Sequence, residues 1–275
     1  MSNYKYAIIV PNYNNDHGEY KGKTFLRNCI ESILNQTYKD FTLIIVDDMS
    51  DDTSIKTIKE YAKKDKRIKL IRNVRKRYNG GSRNVAIEYA LAKLEFQYFC
   101  FLDSDDWWKN DTVLELIDKG LDNHELMTLG CELLYDTGIK YRMNNKPNSY
   151  EDLWSITKIE KHWCTAWDKV IRRDKIVYFC ENTLMEDRVW TYRIADGIDF
   201  SKVTSLLPIV YVWNRMNTSS VSNAKSKLWK ASAFCHIGHQ LQLIEEIKHK
   251  EMIPLIREHI SLCLENIKKG VYEQK

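Results

Sequence analysis

Along the first half of the chain, short apolar runs alternate with longer amphipathic stretches. Residues 6–11 (YAIIVP) and 41–47 (FTLIIVD) are continuous apolar runs closed by polar residues, the pattern of strands buried on both faces. Residues 67–72 (RIKLIR) read as a weaker strand and 97–102 (QYFCFL) as a strong one. Helical periodicity fills the gaps at about 23–36, 53–64, 80–94 and 110–122, and Thr53 or the aspartate before it can cap the second helix. Strand–helix–strand alternation of this kind predicts an α/β fold, a Rossmann-like and mostly parallel sheet flanked by helices, with right-handed crossovers.

From about residue 125 the pattern changes. A strand at 125–135 leads into a polar stretch, 136–152, which reads as a loop or lid. Residues 153–213 are rich in tryptophan, at 154, 163, 167, 190 and 213. The tail from about 225 is helical, with apolar positions at Leu228, Ala231, Ile237, Leu241, Ile244 and Ile247, and Pro254 separates two helices. The expected organisation is a domain over 1–222, with halves at 1–125 and 126–222, followed by a helical extension over 223–275.

The bulk numbers narrow this picture. With 44% hydrophobic and 29% charged residues in 275, the chain is an ordinary folded protein, and disorder is excluded. A net charge of +4 does not by itself mark a nucleic-acid binder. Seven dispersed cysteines with no Cys-x-x-Cys pair suggest reduced thiols, and Ala7–Val10 is too short for a secretory core. No stretch of about 18 apolar residues offers a membrane span, so the expectation is a cytoplasmic protein.

Ligands of open α/β sheets gather at the carboxyl ends of the strands. There the sequence places Pro11, Asn12 and Tyr13, then Asp47 and Asp48, then Asp103, Ser104, Asp105 and Asp106. Five carboxylates on one edge repel one another unless a cation or hydrogen-bond donors sit among them. Asp103-Ser104-Asp105, released from a buried strand, can present oxygens to one hard divalent ion, Mn²⁺ or Mg²⁺, whose remaining positions go to water or phosphate. A solvated acidic turn is the bland alternative; the apolar strand before it and the neighbouring carboxylates favour the metal.

These motifs together resemble family 2 nucleotide-sugar glycosyltransferases of the GT-A fold. The likeness runs through Val10-Pro11-Asn12-Tyr13-Asn14, Cys29 to Tyr38, Ile44 to Thr53, Gly80-Gly81-Ser82-Arg83-Asn84 and Phe101 to Trp107. It implies that Pro11 and Tyr13 flank a nucleotide base, probed by Asp48 if that base is uracil. It also implies that Asp103 meets the ribose or a metal-bound water, and that Asp105 ligates the metal bridging the diphosphate. Arg83 would hold the diphosphate or, equally, pair with the aspartates. Two departures stand out: Met49 occupies a position where the family commonly has glycine, and residues 15–23 form a longer link to the first helix.

Sugar transfer to a hydroxyl needs a base. Glu186-Asp187 resembles the family's acid pair at a helix start, with Asp187 favoured as base and Glu186 contacting acceptor or structure. The alternative is two acids that merely complement a helix N-terminus. A single base opposite the leaving group implies inversion at the anomeric carbon. Ala166-Trp167-Asp168-Lys169 resembles a segment beside the acceptor, Trp190 could stack there, and Arg215, with Ser219 to Ser222 following, resembles a late diphosphate-binding segment. His236 and His239 lack acidic or thiol partners for zinc. Nine basic residues in 63–77 could steer an anionic acceptor.

The expected partners are thus a nucleotide-diphosphate sugar and a saccharide or lipid-linked glycan. A hydroxylated DNA base as acceptor, or a non-catalytic nucleotide-sugar binder, are the rivals. A nucleotidyltransferase would open with a glycine-rich loop after the first strand, which Pro11 to Asn15 does not provide. The tail helices could form a homodimer interface or pack within the chain.

Overall fold

The computed structural model describes residues 4–73, 78–143, 165–218 and 227–269. Its first half follows the apolar pattern: β1 (Tyr6–Asn12), α1 (Phe25–Leu34), β2 (Phe41–Asp47), α2 (Ser54–Lys64), β3 (Ile68–Arg72), α3 (Asn79–Lys93), β4 (Tyr98–Phe101), the short β5 (Trp107–Trp108) and α4 (Val113–Leu121). Local chemistry sets the boundaries. Thr24 accepts from the Arg27 N–H to cap α1, whereas α2 is capped by Asp52, whose Oδ1 accepts from the Ser54 N–H at 2.8 Å, with no side-chain bond from Thr53. In β1, Tyr6, Ile8 and Val10 join one core with α1 and α4, while Ala7 and Ile9 join a second with α3. Period-two alternation of a strand buried on both faces produces that split.

The second half adds β6 (Leu126–Tyr135), β7 (Gly138–Met143), β8 (Lys169–Arg172), α5 (Glu186–Gly197), β9 (Val203–Asn214), α6 (Lys227–Glu246) and α7 (Ile253–Lys268). The strands form one sheet in the order β3-β2-β1-β4-β8-β6-β9-β5, with β7 paired to β6. Pairing is parallel throughout β3-β2-β1-β4 and mixed beyond it, because β8 runs antiparallel to both β4 and β6. The stretch expected as a loop from 136 instead turns at once into β7, since antiparallel neighbours need only a tight connection; Gly138 takes φ +100° there. Residues 144–152 of that stretch lie outside the described residues.

Two antiparallel steps restore direction, so β6 runs with β4, and β9, parallel to β6, does too. The carboxyl end of β9 therefore arrives at the same edge as those of β1, β2 and β4. Strand β9 carries Pro208 inside it. The β6–β9 register skips from Leu206 to Ile209 at that point, a bulge that tolerates a residue without an N–H.

The tail forms two helices as expected, and Pro254 starts α7, where its missing N–H costs nothing. The buried face of α6 differs from the expected stripe. Ala231 and Leu241 are exposed, and Ile237 and Ile247 are buried beside Ser232, Ala233, His236, Gln240 and Leu243. This face is partly polar: Ser232 bonds Thr183 and Leu184 of the loop before α5, and His236 and Gln240 bond each other within the helix. The α6–α7 hairpin packs Leu243, Ile247, Leu255 and Ile256 into the same core as Val189, Trp190 and Ile194 of α5. Among the described residues, no helix is long and apolar enough to cross a membrane.

Candidate active site

The carboxylates expected at the strand ends are together on one edge, but they are not equivalent. Asp47 shapes the turn after β2, accepting from Asn12 Nδ2 (3.2 Å) and the Ser50 N–H (3.1 Å). Asp48 is buried and accepts from Asn73 Nδ2 and the Tyr78 N–H, each at 2.9 Å. Met49, next in line, has φ +62°. A left-handed residue explains why glycine suits this position, and methionine there carries backbone strain. Pro11 lies buried within β1, and Tyr13 is exposed beyond it at the strand's end.

Asp103 and Asp105 leave β4 half-buried, while Asp106 is almost fully covered. Arg83 Nη2 donates to Asp103 at 2.7 Å. Asn217 Nδ2 donates to Asp105 Oδ2 at 2.7 Å, and burial together with the neighbouring Asp103 charge pushes the Asp105 carboxyl up to about 6. Asp106 accepts from the Tyr211 hydroxyl (2.6 Å) and the Asn214 N–H (2.7 Å), so both its oxygens face donors from β9.

Arg83 joins the two halves of the site. It is buried in α3, and its Nη1 donates to Glu186 (2.7 Å) and Asp187 (2.9 Å) while Nη2 holds Asp103. Burial alone would lower its basicity; three carboxylates hold it charged. Of the two alternatives for Arg83, the geometry is that of the ion pair. Glycine at position 80 permits this closeness: a Cβ there would stand 2.2 Å from the Cys180 carbonyl oxygen and 3.2 Å from Glu186 Cβ.

Glu186 and Asp187 open α5, as expected of a helix that complements acids at its N-terminus. Glu186 turns inward, with 6% of its side chain exposed, against 23% for Asp187. Burial and the adjacent Asp187 raise Glu186 to about 8, and burial raises Asp187 as well, opposed by Arg83. The Ala166 N–H supplies a further donor to Asp187. The approach to this pair is held by α6: Ser232 Oγ accepts from the Leu184 N–H at 2.5 Å and sits 3.0 Å from Thr183 Oγ1.

The long link after β1 is tied down. Asp16 accepts from the hydroxyls of Thr24 (2.6 Å), Thr53 (2.7 Å) and Thr57 (2.6 Å), which anchors it to α1 and α2. Asn15 donates to Ser104 Oγ at 2.6 Å, and His17 Nε2 lies 3.4 Å from Asn217 Oδ1. Between this link and the segment after β9 is a cleft of about 520 Å³, lined by Tyr13, Asn15, His17, Phe25, Met216 and Asn217 among others.

Three residues expected beside the acceptor are buried supports instead. Trp167 stacks on Tyr211 with centroids 4.5 Å apart, Trp190 stacks on Phe179 at 4.5 Å, and Lys169 pairs with Asp168 at 2.7 Å. Large apolar rings gain more from core burial than from a wet cleft. The Arg215 guanidinium lies over the Trp213 ring at 4.9 Å. Ser219 to Ser222, Trp154, Trp163 and Arg75 to Arg77 lie outside the described residues. Within the described part of the basic run, Arg67 is engaged by Asp65 at 2.6 Å. Tyr211 and Asn217, which no local pattern announces, contact the Asp103–Asp106 loop from more than 100 positions away, as does Asn214, whose place in the late Trp213-Asn214-Arg215 segment points to the diphosphate rather than to this loop.

The donor set suits a hard divalent ion. Asp103 and Asp105 offer hard carboxylate oxygens one residue apart at the end of β4, and the Asp105 carboxyl is raised first by burial and then by the Asp103 charge. Among the described residues, no group of three or more histidine, cysteine, aspartate or glutamate side chains is arranged to hold an ion.

Comparison with known proteins bears on family and fold. Residues 7–178 match the sequence profile of glycosyl transferase family 2. The UDP-Glc:alpha-D-GlcNAc-diphosphoundecaprenol beta-1,3-glucosyltransferase WfgD of Escherichia coli is 36% identical over 108 residues, covering 39% of this chain and 38% of that protein. Several curated relatives are likewise matched over less than half their own length. Residues 1–349 of S. aureus TarS in complex with UDP-GlcNAc superpose with TM-score 0.68 at 17% identity, covering 93% of this chain and 71% of that one. The mannosyltransferase PcManGT of Pyrobaculum calidifontis in complex with GDP-Man and Mn²⁺ gives 0.60 at 13% identity, covering 100% and 77%. The fold shared with these structures is the GT-A arrangement that the motifs imply.

Proposed function

The chain belongs to glycosyl transferase family 2, and from that membership we propose that it moves a sugar from a uridine-diphosphate donor to a hydroxyl of a saccharide or lipid-linked glycan, with inversion. The observation that carries this reading is Arg83, whose one guanidinium holds donor-side Asp103 and the acid pair Glu186–Asp187. The donor's anomeric carbon and the base thereby share one small site. Tyr13, exposed at the end of β1, would stack on the base, with Pro11 behind it within β1. Asp48, whose oxygens accept from Asn73 Nδ2 and the Tyr78 N–H, is the carboxylate we assign to a uracil imide. Relatives that bear on the substrate are WfgD, named for UDP-glucose and a diphosphoundecaprenol-linked sugar, and TarS in complex with UDP-GlcNAc.

Asp187, the more exposed acid, serves as general base. It takes the proton of the acceptor hydroxyl as that oxygen attacks the anomeric carbon, while the bond to the diphosphate breaks on the opposite face. Glu186, turned inward, keeps Arg83 in place. Mn²⁺ or Mg²⁺ held by Asp105 and Asp103 would neutralise the charge growing on the departing diphosphate, a contribution of several kcal/mol. Asn217 orients the Asp105 carboxylate.

The test is a donor screen: pure protein with Mn²⁺ or Mg²⁺ and a panel of nucleotide sugars, with released nucleoside diphosphate as readout. Asp105→Asn should lose ion-dependent donor binding. Asp187→Asn should keep donor binding and lose transfer by about 100-fold or more. Unchanged turnover in Asp187→Asn would overturn the base assignment, and donor binding without turnover in the unaltered protein would favour a non-catalytic binder.

A further inference from the structure

We propose that Tyr211 is a positioning residue of the donor site: from the end of β9 its hydroxyl fixes the loop that carries Asp105. This inference rests on the metal-dependent reading above. The Tyr211 hydroxyl donates to Asp106 Oδ2 at 2.6 Å and accepts from the Asp103 N–H at 3.3 Å. It thus ties together the residues on both sides of the Ser104–Asp105 step. Asn214 completes the cradle: its N–H donates to Asp106 Oδ1 at 2.7 Å and its Nδ2 to the Asp105 carbonyl at 3.0 Å. Asp106, buried with both oxygens occupied, is thereby held as a brace beside Asp105.

The ring that carries this hydroxyl is itself fixed. Tyr211 is fully buried and stacks on Trp167, with ring planes 24° apart. Trp167 belongs to the turn whose Ala166 N–H supports Asp187, and the buried Lys169–Asp168 pair closes that turn. One aromatic stack therefore braces the metal-binding loop on one side and the segment behind the base on the other. Without the hydroxyl, a buried carboxylate and a backbone N–H each lose a partner, which is costly enough to rearrange a four-residue loop. Outer partners of metal ligands commonly shift ion affinity on the order of 10–100-fold when removed.

The experiment measures Mn²⁺ affinity by electron paramagnetic resonance in the presence of UDP, for the unaltered chain and three variants. Tyr211→Phe removes one oxygen and should weaken Mn²⁺ binding on the order of tenfold or more, with donor KM rising further than kcat falls. Tyr192→Phe removes a comparable buried hydroxyl, one bonded to His259 far along the chain; it should lower thermal stability and leave Mn²⁺ affinity unchanged. Asp106→Asn, the alternative should Tyr211→Phe not fold, keeps one acceptor for two donors, so the Tyr211 hydroxyl or the Asn214 N–H loses its partner and Mn²⁺ binding should weaken similarly. Unaltered affinity in folded Tyr211→Phe, or in Asp106→Asn where Tyr211→Phe does not fold, would overturn the inference. Equal weakening in Tyr192→Phe would reduce Tyr211 to general stability and overturn it too. No UDP-dependent Mn²⁺ binding in the unaltered chain would instead overturn the metal-dependent reading, and this inference with it.

Discussion

At the scale of single residues, the site depends on small and charged groups whose value is positional. Gly80 is an example. In the sequence it belongs to a Gly-Gly-Ser-Arg-Asn motif, and its reason is visible only against Cys180, whose carbonyl would meet a Cβ at 2.2 Å. Gly80→Ala should force α3 away from the loop before the acid pair, costing about 1–3 kcal/mol. Arg83 should then lose its reach to Glu186 and Asp187. The expected outcome is a fall in kcat larger than the change in donor KM, measured by steady-state transfer; unchanged kcat would show that the site absorbs the displacement. Met49 shows the limit of such reading: its left-handed φ accounts for the family's glycine, but nothing in the structure explains why methionine stands here.

At the scale of elements, the tail hairpin is tied to the chemistry through α6. Ser232 holds Thr183 and Leu184 just before the acid pair, and His239 Nε2 lies 3.2 Å from the Glu181 carbonyl. Ser232→Ala should leave the part-buried Leu184 N–H without its side-chain acceptor, at about 1–3 kcal/mol, and lower kcat with donor affinity preserved. Loss of donor affinity instead would mean that α6 supports the nucleotide half. The amphipathic pattern of the tail misjudged which face of α6 is buried, because Ser232, His236 and Gln240 lie on that face. Ser232 bonds the underlying loop while His236 and Gln240 bond each other within α6, and a hydrophobic period registers neither.

At the scale of the whole molecule, stability should depend on pH through two buried histidines in the hairpin. Burial, with Arg188 nearby, lowers both His236 and His259 to about 3 from an ordinary value near 6.5. Because the unfolded chain binds those protons first, their contribution is full above pH 6.5 and is lost progressively as pH falls toward 3. Raised carboxyls such as Glu186 act in the opposite sense, so the effect is read as a difference. Relative to His236→Leu, the unaltered protein should lose up to about 1.4 kcal/mol per pH unit between 6.5 and 4.5 in denaturant titrations. Parallel curves would show that His236 takes up its proton in the folded protein as readily as in the unfolded chain, overturning the lowered value.

The sequence by itself determined the parallel half of the sheet, the helices around it and the aspartates at its edge. Each of these follows from periodicity within a short window or from a motif a few residues long. Only the tertiary structure decided that β9 returns to the same edge, that Tyr211, Asn214 and Asn217 brace the Asp103–Asp106 loop, and that Arg83 joins the two acid groups. Those contacts bridge segments about 100 residues apart, and they arise from chain reversal and close packing, which leave no mark on the local order of apolar and polar residues.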